Sequence, residues 1–250
     1  MKIRLDRWVA GLGLCSRSEA KAWIRGGKVR VGGRIIRDPA FSVETEAELL
    51  EADGKPVDGR LRRHVMLHKP SGVLTAARDR KQPTVMDLLP PVYGAIGCMP
   101  VGRLDRDTTG LLLLTTDGEL NHRLLSPGRH VLKRYRAIVR GRLEEDAVRR
   151  FAEGLDLGDF RAQGAELTIL AAGAESSTAE VSLAEGKFHQ VKRMFEAVGH
   201  EVIRLHRPAF GPLELDGGLP EGSWRELTGE EAARLYEAAG MPAEKREAEP

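Results

Sequence analysis

The segment GRLDRDTTG, residues 102–110, is the densest run of chemistry-bearing side chains in the sequence. Two glycines bracket two arginines, two aspartates and two threonines, and the apolar run Leu111–Leu114 follows at once. Apolar residues beside a turn-rich acidic stretch describe a loop anchored at one end by a buried strand. A carboxylate is charged at neutral pH, and neighbouring arginines favour that state. Asp105 is therefore equipped to act as a base or nucleophile in a cationic pocket.

Two other readings use the same residues. Asp and Thr side chains cap tight turns, and for a DxDTTG met at random that is the commoner case. A metal loop is the second. Asp105, Asp107, Thr109 and Gly110 match the start of a calcium loop, but its twelfth position is Thr116 where a glutamate is required. Asp105-x-Asp107-x-Thr109 also spells the DxDxT of phosphatases of the haloacid dehalogenase type. There a buried apolar strand leads into the first aspartate, whereas Gly102-Arg103-Leu104 leads in here.

Two later stretches bear on the choice. Lys133-Arg134-Tyr135-Arg136 opens a strand with an aromatic between cations; such a ring suits stacking on a nucleobase, and a core tyrosine fits equally well. EGKFHQVKRMF, residues 185–195, sets Lys192 and Arg193 at the start of a helix. Cations there oppose the macrodipole and need an anionic partner, for which either a carboxylate such as Asp105 or an RNA phosphate would serve.

The elements that must position these residues read as an α+β chain. Strands are expected at His64–His68, Tyr135–Val139, Leu167–Leu170, Ala179–Leu183 and Val202–His206, and helices after Phe188 and from Thr228, where Glu231 completes a capping box. The pattern implies a mostly antiparallel sheet with flanking helices. Ahead of it lies a compact unit. Ser16 and Glu19 have capping-box spacing, and the helix they open carries Arg17, Lys21 and Arg25 four apart on one face. A hairpin around Gly32-Gly33 follows, with Lys28 and Arg30 outward. Residues 1–37 hold ten Lys or Arg against two acids, on a chain whose net charge is only +2. A basic end on a nearly neutral chain points to a polyanion-binding module.

The remaining composition narrows the function. Cys15 and Cys98 form no CxxC pair and the seven histidines show no HExxH spacing, so no metal site is expected. No P-loop or dinucleotide fingerprint occurs, so no cofactor is expected either. Charged residues follow Met1 directly, and the apolar runs fall far short of the ~18 residues of a membrane span. A soluble, cytoplasmic monomer is the expectation.

The stretch RLDRWVAGLGLCSRSEAKAWIRGGKVRVGGRII resembles the S-four type of RNA-binding module, first seen in a ribosomal small-subunit protein. LHKPSGVLTAARD, VGRLDRDTTGLLLLTTDGELNHRLLSP, KRYRAIVRG and EGKFHQVKRMFEAVGHEVIRLHR then stand in the order found in RsuA-like pseudouridine synthases, over about residues 64–227. The resemblance implies isomerisation of uridine in ribosomal RNA, free or in an assembling subunit. It makes Asp105 the essential aspartate, Tyr135 the ring that packs on the flipped base and Lys192 the cation paired with the aspartate, with Arg193 as that cation's rival. Arg103, His189 and Gln190 join Arg193 as RNA-binding candidates, beside Arg17, Lys21, Arg25, Lys28 and Arg30. HQVKRM rather than an NRxxRRM form looks like the branch acting on the small ribosomal subunit. A large-subunit target, or a non-catalytic RNA-binding or ribosome-assembly protein, are the alternatives. The expected domains are residues 1–60 for the module and linker, 61–240 for catalysis, and 241–250 for a disordered polar tail.

Overall fold

The computed structural model describes residues 2–45 and 48–242. These fall into two compact units, residues 2–63 with 89–99 and residues 64–88 with 100–242. Residues 89–99 thus cluster with the N-terminal unit, although they lie inside the span expected to be catalytic. Residues 243–250 of the expected tail lie outside the described residues; Met241, at its start, donates its N–H to Tyr236 O at 2.8 Å.

The first unit contains β1 (Lys2–Arg4), α1 (Leu5–Gly11), α2 (Arg17–Arg25), β2 (Val29–Val31), β3 (Arg34–Ile35), β4 (Ser42–Glu44), β5 (Leu50–Ala52), β6 (Lys55–Val57) and α3 (Pro91–Ala95). The capping box opens α2 as its sequence requires: Ser16 Oγ accepts from the Glu19 N–H, and the Ser16 N–H donates to Glu19 Oε2. Leu5, Trp8, Val9, Ile24 and Val29 make the core. Trp8 fixes the following chain by donating Nε1–H to Gly59 O at 2.7 Å. The antiparallel sheet runs β3-β2-β5-β6, and β1 pairs separately with β4. Arg17 and Arg25 are exposed on α2, as are Lys28 and Arg30 beyond it. Arg17 also lies 3.6 Å from Asp6, a buried carboxylate that Arg4 grips at 3.1 Å. The hydrogen bond from Arg4 holds Asp6 below the usual carboxylate range, against the effect of burial.

In the second unit, β7 (His64–Lys69), β8 (Met99–Pro100), β9 (Thr109–Thr115), β10 (Lys133–Arg140), β11 (Glu166–Ala172), β12 (Ser176–Leu183), β13 (Val202–Phe210), β14 (Leu213–Glu214) and β15 (Trp224–Glu226) accompany α4 (Gly118–Leu125), α5 (Glu145–Glu153), α6 (Gln190–Ala197) and α7 (Gly229–Ala238). The sheet runs β11-β12-β10-β13-β9-β7-β15 and is antiparallel throughout that path except between β9 and β13. The parallel pair sets the site, because β9 starts directly after the acidic loop and lies between the two strands that carry its buried cations. Gly110 is the crossing point, opposite Lys69 on β7 and Arg207 on β13. Its φ of +110° and the absence of a side chain are both required, since a Cβ there would collide with the backbone of Arg207.

Every residue of β9 after Thr109 is buried, which explains why its sequence is a continuous apolar run rather than an alternating one. Leu111 and Leu113 pack with Leu120 and Leu124 of α4 and with Leu235 and Tyr236 of α7. In β10 the alternation is complete: Lys133, Tyr135, Ala137 and Val139 face inward. The capping box at Thr228 and Glu231 opens α7 as expected. Among the described residues, no helix is long and apolar enough to cross a membrane.

Candidate active site

Asp105 lies in the loop between β8 and β9, and three neighbours hold that loop. The first is Lys69, fully buried, whose Nζ donates to Pro70 O at 2.9 Å, Thr108 O at 3.0 Å and Arg106 O at 3.2 Å. All three acceptors are main-chain carbonyls, and two of them, Arg106 and Thr108, belong to the loop that carries the aspartates. Burial pulls its pKa down to about 8, partly countered by the charges of Asp107 and Asp105. The second is Thr75, whose hydroxyl donates to Leu104 O at 2.8 Å and accepts from Leu104 N–H at 3.2 Å. The third is the loop's own turn, closed by Thr108 N–H to Asp105 O at 3.1 Å.

The second wall comes from the turn ahead of α6. Gln190, 4% exposed, ties that turn together: Oε1 accepts from Lys187 N–H at 3.0 Å and Nε2 donates to Glu185 Oε2 at 2.7 Å. Its amide is thus occupied within the protein, and it acts on the site by shaping the turn. His189 caps the helix in a left-handed conformation, φ 50°, which brings Nε2 to 3.5 Å from Asp105 Oδ1.

The two adjacent cations of α6 diverge. Lys192 Nζ lies 3.5 Å from Asp105 Oδ2 and donates to both oxygens of Asp107, at 2.6 and 2.8 Å. Arg193 turns the other way, bonding Asp159 and donating to Leu157 O at 2.6 Å, with its guanidinium over the Phe160 ring. Successive helical residues point about 100° apart, so only one of the pair can reach the loop. Each has the anionic partner that its place in the first turn demands. Burial raises the Asp107 carboxyl, but the hydrogen bond and charge of Lys192 outweigh it, and the group stays below the usual range. The Asp105–Asp107 pair thus holds an ammonium where the phosphatase reading needs a metal ion, and Thr109 Oγ1 is engaged with His206 Nδ1 at 2.9 Å. Among the described residues no cluster of metal ligands occurs.

Behind Asp105 is a cavity of about 680 Å³, within the 300–1,000 Å³ of small-molecule sites. Tyr135, Arg207, Lys133 and Phe210 are among its lining residues, as are Arg103, Phe188 and His189. Phe188 is 71% exposed and stacks on His189 with centroids 3.8 Å apart. Tyr135 is 8% exposed and its Oη accepts from Arg207 Nη1 at 3.4 Å. Of the residues singled out from sequence, Asp105, Tyr135, Lys192, Arg103, His189 and Gln190 gather in this unit around the cavity or its loop. Arg193 is directed elsewhere, and Arg17, Lys21, Arg25, Lys28 and Arg30 belong to the other unit. Lys69, Lys133 and Arg207 were missed as site residues. Their signal is a cation in a register that should be apolar: Lys133 with Tyr135, Ala137 and Val139, and Arg207 with Leu205 and Ala209.

The RNA pseudouridylate synthase family matches residues 63–197 and the S4 domain matches residues 3–49. The chain is 42% identical to ribosomal small subunit pseudouridine synthase A of Pseudomonas aeruginosa, over 92% of this chain and 98% of that one. It is 37% identical to ribosomal large subunit pseudouridine synthase B of Bacillus subtilis, over 93% and 95%. A pseudouridylate synthase crystal structure superposes with a TM-score of 0.64 at 33% identity, covering 93% of this chain and 99% of the other. On these matches the chain belongs to the RNA pseudouridylate synthase family, whose members are isomerases acting on RNA, and carries an S4 domain ahead of the family's segment in the sequence.

Proposed function

We propose that this protein converts a uridine of small-subunit ribosomal RNA to pseudouridine, with Asp105 as the catalytic carboxylate. The observation that carries the reading is the surroundings of Asp105: a quarter exposed, between His189 and Lys192, and lining a cavity that Tyr135 also lines. A uridine inside a helix is out of reach of that carboxylate, so it must leave its stack, at a cost of a few kcal/mol. Arg103, exposed at the cavity, is placed to contact the opened RNA, and Tyr135 to pack on the flipped base. Asp105 then acts on the sugar, as a nucleophile at C1′ or a base at C2′. The uracil turns in the cavity and rejoins C1′ through C5. Lys192, 3.5 Å away, gives Asp105 a counter-charge, and the basic face of α2 supplies phosphate contacts.

The small-subunit assignment is supported by the Pseudomonas aeruginosa relative and by the HQVKRM form at residues 189–194. The Bacillus subtilis relative supports a large-subunit target as the second reading. Mapping pseudouridine in both ribosomal RNAs, with the protein present and deleted, decides between them. Asp105→Asn should bind RNA with unchanged affinity and form no pseudouridine; product at the normal rate from that variant would overturn the catalytic role.

A further inference from the structure

Two cations line the cavity, and among the described residues neither pairs with a carboxylate. Arg207 is 2% exposed and Lys133 7%. Lys133 Nζ donates to Ala184 O at 2.6 Å; Arg207 donates Nε–H to Leu111 O at 2.9 Å and Nη1–H to Tyr135 Oη. Arg207 Nη2 is buried and meets no acceptor among the described residues. Both charges pack on one ring, Lys133 Nζ 5.7 Å and Arg207 Cζ 5.3 Å from the Phe210 centroid. Glu185, the nearest acid of the wall in sequence, is occupied by Gln190 and the Gln163 N–H. Burying like charges together is unfavourable unless an anion visits them. Burial and the neighbouring Arg207 charge together pull the Lys133 pKa down to about 8.

The proposed reaction generates such an anion. Whether Asp105 attacks C1′ or removes the C2′ proton, the electron pair of the N1–C1′ bond departs with the base. The intermediate is uracil bearing one negative charge, delocalised over N1 and its two carbonyl oxygens. When C5 bonds to C1′, either the C1′–O bond to Asp105 breaks and its electron pair returns to the carboxylate, or C2′ takes back the proton that Asp105 had removed; the C5 proton is then lost and N1 gains one, so the product is an isomer of the substrate. We propose that Lys133 and Arg207 are catalytic residues that bind this uracil anion, an anion hole in the lining of the cavity that Asp105 also lines. The arrangement places negative catalytic charge at the sugar and positive charge at the departing base, which is the polarity that bond cleavage requires. The aromatic flanks, Tyr135 and Phe210, suit a planar delocalised anion better than a tetrahedral phosphate. The inference rests on the proposed pseudouridine synthase activity.

The test compares wild-type protein with Lys133→Met and Arg207→Gln, using the full chain and a ribosomal RNA substrate. Each variant should form pseudouridine about 100-fold more slowly in a single turnover, with RNA affinity within twofold of wild type. The probe is 5-nitrouracil, an anion near neutral pH, set against neutral uracil and inorganic phosphate. Wild type should prefer the nitro anion to uracil by at least tenfold, and either substitution should abolish that preference. Rates within threefold of wild type, an unchanged preference, or competition by phosphate equal to that by 5-nitrouracil would each overturn the proposal. Melting curves identify a variant that fails to fold, in which case the other variant and the wild-type inhibitor series decide. Wild-type protein that forms no pseudouridine would overturn the proposed function, whereas product formed equally well by both variants overturns this inference alone.

Discussion

Lys192 binds Asp107 more closely than it binds Asp105: its Nζ is 2.6 Å from Asp107 Oδ1 and 3.5 Å from Asp105 Oδ2. The ammonium is shared unequally, with the direct hydrogen bonds going to the outer carboxylate. Among the described residues, Asp105 therefore has His189 and Lys192 at 3.5 Å and no closer side-chain partner, which leaves its carboxylate accessible to a substrate. Asp107→Asn should release Lys192 to bond Asp105 directly and slow the reaction roughly tenfold, the equivalent of about 1.4 kcal/mol. Lys192→Met removes the charge from both aspartates and should cost about 100-fold. Single-turnover rates with RNA affinity measured in parallel check both; a faster Asp107→Asn enzyme would show that Asp107 restrains nothing.

Lys69 predicts a pH profile. Its pKa of about 8 lies below the 10.5 of a free lysine because burial penalises the charged form. Loss of its proton as pH rises through about 8 weakens the bonds to Arg106 and Thr108 carbonyls, and activity should fall in that range. Stability moves oppositely. Below about pH 8 the charged amine opposes folding, and between about 8 and 10.5 only the unfolded chain retains the proton, so this group's penalty is relieved. Rate profiles beside melting temperatures over roughly pH 7–10 test the opposition. Lys69→Arg, always charged, should lose the limb that comes from Lys69; Lys133, also about 8, would account for any that persists.

Gly110→Ala should be severe. The new methyl group would press on the Arg207 backbone at a φ of +110°, and a strained, overpacked position of this kind costs about 3 kcal/mol or more. Denaturant unfolding measures the loss. Because the residue joins β7, β9 and β13, activity should fall with stability rather than independently of it.

The basic face of α2 should act through salt. Replacing Arg17, Lys21 and Arg25 together by Gln should weaken RNA binding and flatten the dependence of log affinity on log salt. The slope should fall by roughly 0.7–0.9 for each phosphate that is no longer neutralised. The single-turnover rate at saturating RNA should be unchanged. A salt titration of RNA binding provides the measurement; an unchanged slope would remove these residues from the RNA-binding surface.

What the sequence determines by itself is local. Ser16 with Glu19 and Thr228 with Glu231 specify their helix starts, because capping involves residues three apart. GRLDRDTTG ahead of an apolar run identifies Asp105 as a carboxylate on a loop entering a buried strand, and period-two alternation marks β10 and β12. Tertiary structure alone decides the partners. Lys192 and Arg193 are equivalent as neighbours in sequence, and the roughly 100° between helical positions sends one to Asp107 and the other to Asp159. Gln190 reads as a polar residue available to a substrate, yet its amide is consumed in holding the turn before α6. Lys69, Lys133 and Arg207 are legible only as cations out of place in apolar registers. Their desolvation, and hence their influence on the site, depends on strands far apart in sequence meeting at Gly110 and at the Lys133–Phe210 pair. A charge's environment is set by everything packed around it, and only the folded chain contains that information.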